Sequence, residues 1–367
     1  MKQADKRNQT NTETELKQPE ERYVAYIGSY THSNSRGITI CDVDVEKGRL
    51  TRRSEAEVNN ASYIAVSNSG RILYSICDEG LCAFRILADG GLEKMNTISI
   101  NGMRGCYITP DREDRYLFVA GYHDGKATVV SLNRDGSLGE VTDEVYDKGL
   151  GSVGERNFRA HVSCATLTPD EKYLMVCDLG IDQVKAYRFD KEKGTIMLVD
   201  ILRCELESAP RTMIFSPDGR FAYLVCELKN YVSVYSYDDN GKGPEFNLIG
   251  RISVIEDRQS NTNASIAIKM TKDGKYLFVT NAGNNSVAFF KRNEEDGTLR
   301  RLSVLPISGE FPKDFALFPD EKHCVSFNHE SNQMTFFTLN YERGLIVMNG
   351  HPVPVDTPNC GIFVKLQ

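Results

Sequence analysis

Tryptophan is absent from the 367 residues. The Trp-Asp signature of the commonest propeller repeat therefore cannot occur here. A basic excess is missing as well, with a formal net charge of −7 and a pI near 5.6. That excludes the electrostatic footprint expected of a nucleic-acid or acidic-membrane binder. No apolar stretch approaches the ~18 residues of a membrane-spanning helix. The N-terminus lacks an apolar core, so it does not read as a signal peptide. Its polar composition predicts a disordered tail at residues 1–21, ahead of a single domain over residues 22–367. Ten cysteines are scattered without a Cys-x-x-Cys pair. Cys77, Cys177, Cys226 and Cys324 fall inside apolar segments, which predicts buried, reduced thiols in a cytoplasmic protein rather than a disulfide scaffold or zinc site. The six histidines show no metal-like spacing. The glycines of Gly149-Leu-Gly-Ser-Val-Gly154 follow no clear strand and open no helix, which argues against a phosphate loop. Neither a metal nor a cofactor is expected.

What is present is a repeat. Tyr173-Leu-Met-Val-Cys-Asp178 has six relatives: Tyr23-Val-Ala-Tyr-Ile-Gly28, Ile72-Leu-Tyr-Ser-Ile-Cys77, Tyr116-Leu-Phe-Val-Ala-Gly121, Phe221-Ala-Tyr-Leu-Val-Cys226, Tyr276-Leu-Phe-Val-Thr-Asn281 and His323-Cys-Val-Ser-Phe-Asn328. Each is short and apolar, as a strand buried on both faces must be. They recur at intervals of roughly 45 to 55 residues, the period of a β-propeller blade. Polar turns such as Ser216-Pro-Asp-Gly219 precede these strands. Alternating strands such as Tyr231-Val-Ser-Val-Tyr235 follow them. Glycine turns such as Asp296-Gly297 then lead to a fourth strand. The fold class is therefore all-β, a seven-bladed β-propeller.

The termini are out of phase with the repeat. The chain begins on a second strand and ends on a first strand, Cys360-Gly-Ile-Phe-Val-Lys365. The C-terminal strand is expected to join the N-terminal blade and close the ring, leaving no open sheet edge. First strands should then begin near Ser62, Cys106, His161, Arg211, Ser265, Lys313 and Cys360.

Strand polarity places the starts of first strands and the ends of second strands on one face, close to the channel. Blade 4 brings Arg159, His161 and Asp178 there. Blade 5 brings Arg211 and Glu227. Blade 6 brings Asn281, and blade 7 brings Lys313 and Asn328. A histidine exchanges protons near neutral pH, and an arginine fork holds an anion or a developing oxyanion. Axis-facing polar residues can also serve only to solvate a water-filled channel, so position alone does not assign chemistry.

At these residues the chain resembles a seven-bladed lactonase family that includes bacterial 6-phosphogluconolactonases and the fungal carboxy-cis,cis-muconate cyclase. The matching stretches are Tyr26-Ile-Gly-Ser-Tyr-Thr31, Asn60-Ala-Ser-Tyr63, Ala160-His161 with Cys177-Asp-Leu-Gly-Ile-Asp-Gln-Val-Lys-Ala-Tyr187, Ala209-Pro-Arg211 with Phe215-Ser-Pro-Asp-Gly219, and Cys226-Glu-Leu228. The resemblance implies a lactone hydrolase with His161, Arg211 and Glu227 at its catalytic site. Arg159, Asp178, Asn281, Lys313 and Asn328 are expected to bind the substrate, a small anionic lactone or sugar. A cyclase-like isomerase and a non-catalytic binding propeller are the alternatives. A monomer or weak homo-oligomer is expected.

The chain also departs from the family pattern. The usual blade-six arginine is Ala282, and the acidic residue of that blade's first strand is Ala267. The histidine after Pro-Arg in blade 5 is Thr212, the arginine of blade 7 is Lys313, and the Asn-Tyr of blade 3 is Gly121-Tyr122. Loss of an arginine predicts a roomier, less cationic pocket.

Overall fold

The computed structural model describes residues 21–152, 157–256 and 263–367. The expected tail lies outside them except for Glu21, as do Val153 and Gly154 of the glycine stretch. The described residues form seven antiparallel sheets arranged as blades around a channel. First strands begin within two residues of the expected positions, at Ile64, Tyr107, Val162, Pro210, Ser265, Pro312 and Pro358. Strand Pro358–Lys365 pairs with Tyr23–Ser29 and supplies the inner strand of blade 1. Tyr23 lies opposite Lys365 and Gly28 opposite Cys360, so the two ends of the chain close the ring.

The second strands are buried on both faces because each is packed between two neighbouring blades. In blade 1, Val24 and Tyr26 pack with Leu73 and Phe84 of blade 2. Ala25 and Ile27, on the opposite face, pack with Phe327 and Phe336 of blade 7. The same division recurs around the ring, with one apolar cluster between each pair of blades. Each Val, Leu, Ile or Phe side chain so removed from water contributes about 1.5–3 kcal/mol. Tyrosines then fix the blades to one another. Tyr26, Tyr74 and Tyr223 donate their hydroxyls to the carbonyls of Gly90, Gly136 and Gly297, in the glycine turns of the next blades.

Six blades have four strands. In blade 7 the outer strand is divided into Leu345–Met348 and Val353–Pro354, both paired with Gln333–Asn340. The interruption falls at Gly350, with φ of 73°, and at Pro352, which has no N–H to give to a ladder.

The closing strand leaves no spare room. A Cβ on Gly361 would lie 2.0 Å from Cζ of Phe327, a buried ring of blade 7. Gly250, on an outer strand, has nothing within 4 Å of the same position. Gly361→Ala is therefore expected to lose about 1–3 kcal/mol of stability through overpacking. Gly250→Ala should stay within about 0.5 kcal/mol. Denaturant titration of the two variants checks this contrast.

Candidate active site

The inner strands do not run in regular register where they enter the channel. In blade 5, Pro210 pairs with Cys226 and Thr212 with Val225, so Arg211 has no partner across the ladder. Blade 7 omits Lys313 between Pro312 and Asp314. Blade 4 omits Ser163 between Val162 and Cys164. Blade 6 omits Ile266 and Ala267, and blade 1 omits Asn359 between Pro358 and Cys360. Side chains on a regular strand alternate between two faces, and here both faces are packed against other blades. A bulged residue leaves that alternation, and its side chain turns toward the axis. All of these bulged residues line one cavity of about 410 Å³ within the channel. Its remaining wall includes Tyr30, Tyr63, Cys106 and Tyr107 near the entrance and Phe215, Lys269 and Met270 deeper in.

Arg211 donates to Glu227 from within this cavity, and the two form an ion pair. The Arg211 side chain is 28% exposed and that of Glu227 only 1%. The carboxylate thus lies behind the guanidinium, which faces the channel. Burial is the largest single influence on Arg211 and lowers its pKa, but the charge and hydrogen bond of Glu227, with smaller contributions from its other neighbours, together outweigh it, and the net shift is upward. The backbone of Arg211 is held from the neighbouring blade, where Ser163 donates its hydroxyl to the Arg211 carbonyl at 2.7 Å.

His161 is 3% exposed and stacks on Tyr122, with ring centroids 4.3 Å apart. Its Nδ1 lies 2.8 Å from the Tyr122 carbonyl oxygen. A carbonyl only accepts, so Nδ1 carries the proton and Nε2 keeps its lone pair. Burial lowers the pKa of His161, as do the nearby Arg159 and His123, although the Tyr122 carbonyl opposes them. The neutral imidazole is therefore favoured at pH 7. His161 and Glu227 do not themselves line the cavity, whereas Arg211 does.

The five residues expected to bind substrate divide into three kinds. Lys313 lines the cavity, with Nζ 4.7 Å from the Tyr30 ring centroid. Burial and the nearby Arg211 lower its pKa to about 8. Arg159 is exposed beside His161 and packs on Phe158. Asp178, Asn281 and Asn328 are fully buried and do not line the cavity. Asp178 accepts from the backbone N–H groups of His161 and Gly180 at 2.7 and 3.0 Å. Asn281 donates to the Val254 carbonyl and accepts from Ser265 and Asn263. Asn328 donates to Thr335 and accepts from Ser326. Asp178 and Asn281 thus tie down backbone beside the channel, whereas Asn328 bonds within its own blade. The polarity argument located them on the correct face but could not tell a side chain turned to the channel from one turned into the blade.

Sequence reasoning also missed residues. Arg104 stands over the Tyr30 ring at 5.0 Å and pairs with Asp78 at 2.8 Å. The mouth therefore gathers Arg104, Arg211 and Lys313 around one tyrosine, although the position of the usual blade-six arginine is Ala282, 1% exposed. Deeper in the channel Lys269 pairs with Asp314 at 3.0 Å. The adjacent-residue pattern Pro-X at Pro210-Arg211, Pro312-Lys313 and Pro358-Asn359 was the available signal for the bulges. A larger cleft of about 990 Å³ lies on the opposite face between blades 2 and 3, and none of the expected site residues lines it. Among the described residues, no group of three His, Cys, Asp or Glu side chains is placed to hold a metal ion.

The sequence profile described as "Lactonase, 7-bladed beta-propeller" matches residues 24–363. The chain belongs to this lactonase family. It is 31% identical to the 6-phosphogluconolactonase of Bacillus subtilis over 349 residues, 94% of this chain and 99% of that one. A periplasmic gluconolactonase from Pseudomonas aeruginosa superposes with a TM-score of 0.88 at 26% identity, covering 94% of this chain and all of the other. A candidate 6-phosphogluconolactonase from Bacteroides fragilis superposes with a TM-score of 0.86 at 29% identity, covering 97% and 100%. No helix of the described residues is long and apolar enough to cross a membrane.

Asp178 carries a consequence for pH. Burial and the neighbouring Asp147 raise its carboxyl pKa far above the ordinary carboxylate range. The native state therefore holds this proton more tightly than the unfolded chain does. The associated stability is complete below about pH 4 and is lost as pH rises toward neutrality. Asp178→Asn cannot ionise, and its amide oxygen can still accept from His161 and Gly180. Its stability relative to the native sequence is expected to rise between pH 5 and 8, by on the order of 1 kcal/mol or more. Denaturation midpoints of both proteins at several pH values test this, and a pH-independent difference would show that Asp178 ionises normally.

Proposed function

We propose that this protein hydrolyses a small anionic sugar lactone at the mouth of its channel. The observation that carries the reading is Arg211, turned into the cavity by a bulge and backed by the buried Glu227 carboxylate. In this role Arg211 holds the lactone carbonyl and stabilises the oxyanion that forms on it. Neutral His161 takes a proton through Nε2 from the attacking water. The resulting imidazolium returns it to the ring oxygen as the acyl carbon–oxygen bond breaks, giving the open hydroxy acid. Glu227 fixes the guanidinium and balances its charge. Lys313 and Arg104 hold the anionic group of the substrate. The family membership and the names of the relatives favour a lactone over other esters. Scattered, mostly buried cysteines support a reducing, cytoplasmic setting.

Proton release from a panel of sugar lactones tests the reaction. Arg211→Ala is expected to lower kcat/KM about 100-fold or more. Arg134→Ala, on the opposite face, should leave it unchanged. No turnover of any lactone by the native protein would overturn the reading. The pH profile gives a separate check. Because burial lowers its pKa, His161 remains neutral below the ordinary imidazole value of 6.5. The acid limb of kcat/KM should therefore fall below pH 6.5. An acid limb at or above that value would mean that His161 is not the base.

A further inference from the structure

Asn359 occupies the same bulged position in blade 1 as Arg211 does in blade 5 and Lys313 in blade 7. It lines the channel cavity and is 6% exposed. Neither its Oδ1 nor its Nδ2 has a hydrogen-bond partner among the described residues. A buried amide without partners costs about 1–3 kcal/mol, and it is rare in native structures unless the site has another use for the group. The ring-closing strand has no structural need for an asparagine there, since the amide bonds to nothing that the strand packs against.

The surroundings of Asn359 indicate what it reads. Lys313 and Asp314 follow one another on the adjacent inner strand, and both line the cavity. Asp314 is 3% exposed and accepts from the N–H of Gly361, two residues beyond Asn359, at 3.2 Å. On its other side Asp314 pairs with Lys269 of blade 6, which also lines the cavity. Blades 1, 7 and 6 thus present the amide of Asn359, the carboxylate of Asp314 and the ammonium groups of Lys313 and Lys269 along one wall. This wall mixes donors with acceptors. Lys313 offers donors to an anionic group at the mouth, but beyond it the Asp314 carboxylate and Oδ1 of Asn359 can only accept. A hydroxyl both donates and accepts, and neighbouring hydroxyls suit the two ends of an amide. Arg211, on blade 5, presents donors only, which suits a carbonyl oxygen.

We infer that Asn359, with Asp314 and Lys269, forms a hydroxyl-reading subsite that selects polyhydroxylated lactones over lactones with a bare ring. This rests on the lactone-hydrolase reading and assigns the residues that would read the hydroxyls of its substrate. The acyl carbon lies toward Arg211 and the ring hydroxyls toward the wall formed by blades 1, 7 and 6. The requirement is strict in one direction. A site built to hydrogen-bond a hydroxyl rejects the analogue lacking it, because its own buried polar groups are then left without partners.

The test compares glucono-1,5-lactone with δ-valerolactone, which has the same ring without hydroxyls. The native protein is expected to favour the hydroxylated ring. Asn359→Leu should lower kcat/KM for glucono-1,5-lactone about tenfold, the effect of losing hydrogen bonds to an uncharged partner. It should change δ-valerolactone turnover less than threefold, which also shows that the variant is folded. Asn359→Ala, which cannot overfill the channel, should behave alike. Equal losses on both lactones, or no loss on either, would overturn the subsite. If the native protein hydrolyses neither of these uncharged lactones, calorimetry with gluconate and hexanoate tests the subsite separately from the hydrolase reading, which the full lactone panel decides. Binding of gluconate that weakens in Asn359→Leu, with hexanoate unaffected, upholds it. Gluconate affinity that is absent or unchanged by the substitution overturns it.

Discussion

The constraint on which everything else depends is that a closed ring of blades has no free face. Every second strand has a neighbour on both sides, so Val24 and Ala25 serve two different cores. A side chain that follows the regular alternation of its strand is committed to packing. Function must therefore be placed where the alternation fails. The bulges at the heads of the inner strands are those places, and five of the seven blades have one. Proline precedes the bulged residue in blades 1, 5 and 7, where its fixed φ and missing N–H suit an interrupted ladder. The seven-fold framework is thus the stable part of the molecule, and the bulged residue is what differs between blades.

That arrangement explains the asymmetry of the channel. The bulged residues include an arginine, a lysine, an asparagine, a serine and an Ile-Ala pair, all on one backbone plan. Charge accumulates at the mouth through Arg211, Lys313 and Arg104, while Ile214, Phe215, Ile266 and Ile268 give blades 5 and 6 an apolar stretch of wall beside Lys269. Only one of the three cations, Arg211, is backed by a fully buried carboxylate. Asp78, which pairs with Arg104, is exposed, its side chain 46% accessible. A buried ion pair contributes little net stability, because desolvation offsets the attraction. Its value here is geometric, since Glu227 fixes one guanidinium relative to the cavity.

Most of the fold was legible in the sequence because it rests on repetition. The apolar second strands, their turns and the out-of-phase termini each carried the same seven-fold signal, and the ring closure followed from counting. The divided outer strand of blade 7 was not legible, because its cause is a local Gly-His-Pro interruption that breaks no periodicity. The site was legible only in part. Arg211 and Lys313 could be placed at the channel since they begin inner strands. Asp178, Asn281 and Asn328 end second strands at the same height, yet they turn into the blade, where Asp178 and Asn281 bind backbone and Asn328 binds the Ser326 and Thr335 hydroxyls. One residue of register decides between those outcomes, and register at a bulge is set by tertiary packing rather than by local pattern.

The departures at Ala282 and Ala267 acquire a physical meaning in this frame. Ala282 is buried and donates its N–H to the Ala264 carbonyl at 2.8 Å, so the position serves the loop rather than the channel. Ala267 is a bulged residue that faces the cavity, and its N–H bonds to the Thr280 hydroxyl at 3.0 Å in place of a ladder partner. Removing a side chain at such a point leaves the framework intact and enlarges the channel on the blade-6 side. Lys269, two residues further along the same strand, then becomes the first charged group on that side, and Asp314 fixes its position. Cationic character lies at the mouth, and within the channel Lys269 is neutralised by Asp314. The channel thus presents full charge at its mouth, at Arg211 and Lys313, and mixed polarity at Asp314 and Lys269.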